Sequence, residues 1–187
     1  EAFGDPHFKA HEAVLHIMGI LTIDMLDSVV LPFQVQEYGL ALQKALGLTK
    51  SAMDSLILDH PDAAQKLSDA MDTLYRSIDK FADAASAVSA LTLRAARGLL
   101  SADQVRSLNR VIAGLERQFI VPEGLYNRPW FKNIVVAPGL HTGYAPEVFP
   151  SLRESMREGS IDTVLQQAKR LAEVILQAAD WMMEAAK

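Results

Sequence analysis

Hydrophobic residues recur at helical spacing along most of the chain. In the clearest case, seven apolar residues follow one another at intervals of four and three: Leu67, Met71, Leu74, Ile78, Phe81, Ala85 and Val88. This heptad-like seam is typical of helices that pack in left-handed bundles. His60-Pro61 precedes it, and Gly98 follows as a suitable residue after a helix C-terminus. The pattern predicts one long helix between these two points.

Further apolar stripes predict helices on both sides of that seam. One helix runs from about residue 35 to 58, after a break at Pro32 and with a bend near Gly47. Ser101 and Gln104 match a capping box, and the stripe that follows consists of Val105, Leu108, Ile112, Leu115 and Phe119. A short helix covers residues 149–158, and a last long helix begins at Ser160.

The first helix, residues 8–28, is apolar on nearly every side. Asp5-Pro6 offers a capping carboxylate followed by proline at the first helical position. A helix without a polar face is buried on more than one side. We therefore expect one side to face the core of the domain and another to face a second protein surface.

An irregular segment rich in proline and aromatic residues separates the helices, from Asn127 to Pro150. A connection this long is usually functional or disordered, and this one carries too many apolar residues for disorder. Ile134–Val136 resembles a short strand without a partner elsewhere in the chain. The fold prediction is an all-α, four-helix-bundle-like domain spanning residues 1–187, with a broken second helix and a long ordered loop before the last helices.

Composition narrows the function further. The net charge is -5 and the chain has no cysteine, which argues against nucleic-acid binding and excludes thiolate chemistry. The most apolar run, residues 13–23, is shorter than a bilayer span, so we expect no membrane contact by this chain. Because the sequence starts at Glu1 without an initiator methionine, we interpret it as a fragment of a longer protein.

The chain carries weak candidates for catalysis and metal binding. His11 and His16 are five residues apart, a turn of about 500° on a helix, so they do not share a face. His7 and His11 share a face but lack a third ligand. Asp24 and Asp27 are more simply explained as solvated or capping residues. No catalytic residue, metal ligand or cofactor is therefore predicted within this chain.

His141 and Tyr144, in the long loop, leave two readings open. Tyr144 can be a packing aromatic while His141 caps a turn. Alternatively, the loop presents a phenol and an imidazole to a ligand or to a neighbouring domain, because tyrosine suits sites with one apolar and one polar side.

The sequence resembles a known family at several places. FIVPEGLYNRPWF (residues 119–131) and VAPGLHTGYAPEVFP (residues 136–150) closely resemble the C-terminal domain of the glutamate carboxypeptidase II family, which includes folate hydrolase and the transferrin receptor. Asp5-Pro-His-Phe8 and the segment 28–33 are similar to the opening of the same domain. The resemblance extends over essentially the whole chain.

The resemblance implies a transferrin receptor-like dimerisation domain that forms a homodimer and packs on the peptidase and protease-associated domains of the parent chain. Two zinc ions and the catalytic glutamate would lie in the missing peptidase domain, and the parent would be extracellular or in the secretory pathway. The loop with His141, Thr142, Gly143 and Tyr144 would bind the C-terminal residue of a peptide substrate, with Tyr144 donating to its carboxylate.

One position departs from the family pattern. Glutamate-specific members carry a lysine where this chain has Gly143, so the glycine offers no charge to an acidic side chain. The main interpretation is therefore a non-catalytic homodimerisation domain that supplies a pocket loop to a zinc-dependent carboxypeptidase- or aminopeptidase-like parent. The alternative is the dimerisation domain of a non-catalytic, transferrin-receptor-like protein that binds a protein ligand.

Overall fold

A computed structural model describes residues 4–140, 143–158 and 160–184. The α-helices of this described part are α1 (Lys9–Asp27), α2 (Val35–Asp59), α3 (Ala64–Ala96), α4 (Ala102–Gly114), α5 (Pro150–Glu158) and α6 (Ile161–Met183). Short 3-10 helices cover Pro6–Phe8 and Leu115–Phe119, and the strands β1 (Val136–Pro138) and β2 (Pro146–Val148) form one small sheet. The all-α prediction is confirmed.

The core lies between α3 and α6, which pack against each other along much of their length. All seven residues of the predicted α3 seam are buried. The facing helix contributes small residues, including Ala168, Ala172, Ala178 and Ala179. Small side chains on one helix let large side chains of the other interdigitate without voids. Helix α2 packs on α3 from one side, and α5 packs on α6.

The capping box that opens α4 is present as predicted. The amide of Gln104 donates to the Ser101 hydroxyl oxygen over 3.3 Å, and the amide of Ser101 donates to the Gln104 side-chain oxygen over 2.9 Å. Leu108, Ile112, Leu115 and Phe119 are buried and Val105 is half-buried. The final turn tightens into a 3-10 helix, and there Phe119 stacks on Tyr38 of α2 at 5.5 Å between ring centroids.

Helix α2 is continuous across Gly47, and the break lies before it at residues 28–34. One side chain of α4 fixes this break. Asn109 accepts from the amide of Leu31 over 2.9 Å and donates to the carbonyl oxygen of Val29 over 3.0 Å. The polar backbone of the turn is thereby satisfied where no regular structure pairs it.

Helix α1 corrects one expectation. It contributes no buried residue, so none of its sides faces the core of the domain. Its exposed hydrophobic residues between positions 14 and 26 retain 45–79% of their accessible surface: Val14, Leu15, Ile17, Met18, Ile20, Leu21, Ile23, Met25 and Leu26. The apolar content of residues 8–28 therefore predicted a helix, but the structure leaves its apolar side chains exposed.

The start of α1 also differs from the prediction. Residues 6–8 form the 3-10 helix, and α1 begins at Lys9. The Asp5 carboxylate still caps it, because it accepts from the amides of Ala10 at 2.8 Å and His11 at 3.0 Å. Among the residues that the structure describes, none of the helices combines the length and apolar content needed to cross a membrane.

Candidate functional site

The long loop carries a β-hairpin, which corrects the expectation that the apolar run at 134–136 has no strand partner. Val136–Pro138 pairs antiparallel with Pro146–Val148, and Val136 lies opposite Val148. Proline cannot donate to a sheet ladder and is tolerated on edge strands. The prolines in both strands explain why the pairing was missed.

The loop before the hairpin is ordered by backbone hydrogen bonds. The amide of Val121 donates to the Lys132 carbonyl oxygen and the amide of Leu125 donates to that of Phe131, both over 2.9 Å. Gly124 permits the tight approach: its φ is +75°, and a β-carbon there would lie 2.2 Å from the Pro129 carbonyl oxygen. This segment therefore gives the hairpin a fixed base.

Arg128 lies at the centre of that base and is buried. It donates from Nη1 to the carbonyl oxygen of Pro138, at the end of β1, over 2.6 Å. Its second amino group pairs with Glu154 of α5, and the guanidinium lies 5.2 Å from the ring centroid of Phe131. Burial raises the pKa of the Glu154 carboxyl, and the charge of Arg128 opposes that rise. Arg128 therefore connects β1 to α5.

Strand β2 has its own connection to α5. Glu147 is nearly buried and pairs with Arg157, and the Nε of Arg153 lies 3.6 Å from the same carboxylate. The next turn is fixed by Phe149, which is fully buried with a φ of 54° and donates its amide to the Val135 carbonyl oxygen over 2.8 Å. A bulky residue in this left-handed region persists only where its surroundings enforce it.

The tip of the hairpin projects from this base into solvent. The amide of Gly139 donates to the Ala145 carbonyl oxygen, and the amide of Gly143 donates to the Gly139 carbonyl oxygen, each over 2.9 Å. Gly143 has a φ of +64°, so a lysine in its place would adopt a strained backbone. Tyr144 is 98% exposed, so its ring and hydroxyl are both free for a ligand or another surface.

Of the four predicted site residues, the structure therefore places Gly143 and Tyr144 together at the tip. His141 and Thr142 lie outside the described residues. A recess of about 270 Å³ lies beside the tip, and its lining includes Gly139, Ala145, Glu147, Arg153 and Arg157. The sequence pattern gave no sign of the residues that anchor the hairpin, namely Arg128, Glu147 and Glu154. Their partners are distant along the chain.

The weaker candidates belong to α1 and the residues just before it, not to the hairpin. His11 pairs with Asp5 at the start of α1, and His16, Asp24 and Asp27 are exposed along the same helix. In the described part of the chain, three or more histidine, aspartate or glutamate side chains do not come together in a way that could hold a metal ion.

The domain belongs to the class of helical bundles, with an ordered hairpin loop between α4 and α5. Comparison with known proteins identifies the family. Residues 63–183 match the model of the transferrin receptor-like dimerisation domain. The chain belongs to this family.

Three relatives illustrate the similarity. The chain is 29% identical to a probable glutamate carboxypeptidase of Arthroderma benhamiae, over 95% of this chain and 23% of the relative. It is 32% identical to the probable glutamate carboxypeptidase LAMP1 of Arabidopsis thaliana, over 91% of this chain and 22% of the relative. It is 28% identical to the aminopeptidase NAALADL1 of Rattus norvegicus, over 74% of this chain and 18% of the relative. The chain thus spans about a fifth of the length of these relatives.

Proposed function

We propose that this chain is the homodimerisation domain of a longer, glutamate carboxypeptidase-like peptidase, and that its hairpin completes the substrate pocket of that peptidase. Two zinc ions and the catalytic residues would be supplied by a catalytic domain outside these 187 residues. The peptidase names of the relatives support this reading over a non-catalytic receptor. The observation that carries the pocket role is the projection of Tyr144 from a firmly anchored hairpin.

The dimerisation role is supported by α1. Large apolar patches on a soluble protein usually mark sites of association, and α1 exposes such residues along its whole length. Helix α6 is less suited to such an interface. Its exposed positions as far as Asp180 are polar: Asp162, Gln166, Lys169, Glu173, Gln177 and Asp180. The interface that we propose is therefore centred on α1 and repeated about a two-fold axis.

The pocket role rests on the chemistry of tyrosine at an exposed tip. A phenol donates one hydrogen bond while its ring contacts apolar surface. We propose that the Tyr144 hydroxyl donates to the carboxylate of the substrate's C-terminal residue, with Gly143, Thr142 and His141 forming the rest of the contact. Because Gly143 carries no charge, preference for a terminal glutamate would have to come from other residues.

Replacing Tyr144 with phenylalanine in the full-length protein tests the pocket role. Loss of one hydrogen bond to a charged group costs about 1.5–3 kcal/mol, so kcat/KM should fall about 10- to 150-fold. The melting temperature should not change, because the side chain is 98% exposed. Tyr75→Phe is the matched control: Tyr75 is a partly buried residue of α3.

Two results would contradict the pocket role. One is a Tyr144→Phe variant with unchanged kinetics and a melting temperature lowered by several degrees, which would make the residue structural. The other is an equal loss of kcat/KM in the Tyr75→Phe control.

A further inference from the structure

The hairpin is too small to set its own orientation. Each strand has three residues, and an isolated two-stranded hairpin is marginally stable in water. The contacts described at its tip are the two backbone hydrogen bonds of Gly139 and Gly143, while Tyr144 is almost fully exposed. The direction in which the tip points must therefore be determined at the base.

At the base, each strand is tied to α5 by a separate ion pair. The last carbonyl group of strand β1, at Pro138, accepts a hydrogen bond from Arg128, and Arg128 in turn pairs with Glu154. Strand β2 is tied through the Glu147 carboxylate to Arg157. Because α5 packs on α6, the two pairs connect the hairpin to the core of the bundle.

We propose that Arg128 and Glu147 are positioning residues, which fix the direction in which the hairpin presents Tyr144; this inference rests on the pocket function proposed above. Neither residue would touch the substrate. Their role is to hold the tip in a single orientation before substrate arrives, which lowers the cost of ordering the loop on binding.

The chemistry of the buried pair fits a geometric role better than a stabilising one. A buried ion pair contributes little net stability unless all of its polar atoms are satisfied. Within the described residues, Nε of Arg128 and Oε2 of Glu154 are buried without hydrogen-bond partners. The planar guanidinium nevertheless holds a carbonyl oxygen and a carboxylate at fixed angles, which a lysine or an apolar contact would not do.

Amide hydrogen exchange on the 187-residue chain tests the proposal. Removing Arg128 alone would leave Glu154 buried and unpaired, so the variant is the double substitution Arg128→Met with Glu154→Leu. Arg170 provides a matched control, because it also donates to a carbonyl oxygen, that of Gly124 at 3.1 Å, and to a carboxylate, that of Glu123 at 2.6 Å. It lies on α6 and does not contact the hairpin strands through these bonds.

We expect exchange at the amides of Gly139 and Gly143 to accelerate at least tenfold in the double variant and to stay unchanged in Arg170→Met. Amides of α3 should exchange at the wild-type rate in both. Glu147→Gln, which removes the charge from the other tie, should accelerate tip exchange at least threefold and decides the question if the double variant does not fold. Tip exchange within twofold of wild type in the folded variants would overturn the proposal.

Kinetics of the full-length protein separate this proposal from the pocket function. Loss of positioning should raise KM more than it lowers kcat, and it should do so for Glu147→Gln as well. The positioning role would be overturned if KM were unchanged in these variants while kcat/KM of Tyr144→Phe was reduced. Wild-type kinetics of Tyr144→Phe would overturn the pocket function instead, whatever the exchange rates.

Discussion

A glutamate on the exposed surface of α1 should dissociate the proposed dimer without unfolding the protomer. Ile17 lies in the middle of α1 and is 57% exposed. Glutamate is a good helix former, so Ile17→Glu preserves the helix. Because α1 contributes no buried residue, the substitution also leaves the core of the bundle unchanged.

The size of the effect follows from the exposed fraction. Full burial of an isoleucine side chain is worth about 1.5–3 kcal/mol, so covering the remaining 57% is worth about 0.9–1.7 kcal/mol. A two-fold interface contains the residue twice, which gives about 1.7–3.4 kcal/mol for the dimer. At about 1.4 kcal/mol per factor of ten, the dimer Kd should rise about 15- to 270-fold. Burial of the two new charges would increase this further.

Sedimentation equilibrium across a dilution series measures that Kd directly. Leu48→Glu is the matched control, because Leu48 is a 65% exposed leucine in the interior of α2. Circular dichroism spectra should be the same for wild type and both variants, because the substitutions preserve the helices. The reasoning would be refuted if the wild-type chain stayed monomeric at high concentration, or if Leu48→Glu weakened the dimer as much as Ile17→Glu.

Three further outcomes are expected. Gly124→Ala should lower the free energy of unfolding by at least about 2 kcal/mol, because the new β-carbon would clash with the Pro129 backbone. In the control Gly47→Ala the new β-carbon meets open space, so the free energy of unfolding should rise by about 0.5–1 kcal/mol. Equal melting temperatures of the two variants would contradict the clash. The purified 187-residue chain with added zinc should not cleave dipeptides, and turnover that persists through purification and is abolished by His11→Ala would show a site that we did not find. Hydrogen bonds from His11 and then from the Ala10 amide hold the pKa of Asp5 below its ordinary value of 3.8. The pKa of Asp5 is thus lower in the folded state than in the unfolded state. Asp5 therefore stabilises the start of α1 at any pH above its unfolded-state pKa, and this stabilisation is lost as the pH falls through its folded-state pKa. Amide protection at His11 should therefore decline in acid, and the same decline in Asp5→Asn would contradict this assignment.

The helices could be predicted because their signals are local. The α3 seam and the Ser101–Gln104 capping box depend on residues three or four positions apart, and both appear as expected. For α1 an apolar run predicted the helix, but the expectation that one of its sides faces the core was wrong. Apolar residues favour removal from water, and the sequence does not record which surface would remove them.

The site could be predicted only in part. Irregular composition located the loop, and family resemblance pointed to Tyr144 at its tip. The hairpin was missed, since its strands have three residues each and contain Pro138 and Pro146. The tie between Arg128 and Glu154 spans 26 positions, and charged residues at such a separation have no periodic relation that a sequence pattern could reveal.

The isolation of α1 also bears on how the protein would be made in a cell. As the chain is synthesised, α1 emerges before the bundle, and no later helix of the described protomer buries its apolar residues. If α1 is covered by pairing, a newly made protomer presents an apolar rod until it meets a second copy. Chaperones and proteases act on such exposed surfaces. The amount of protein that survives would then depend on its rate of synthesis, because dilute protomers would be degraded before they find a partner.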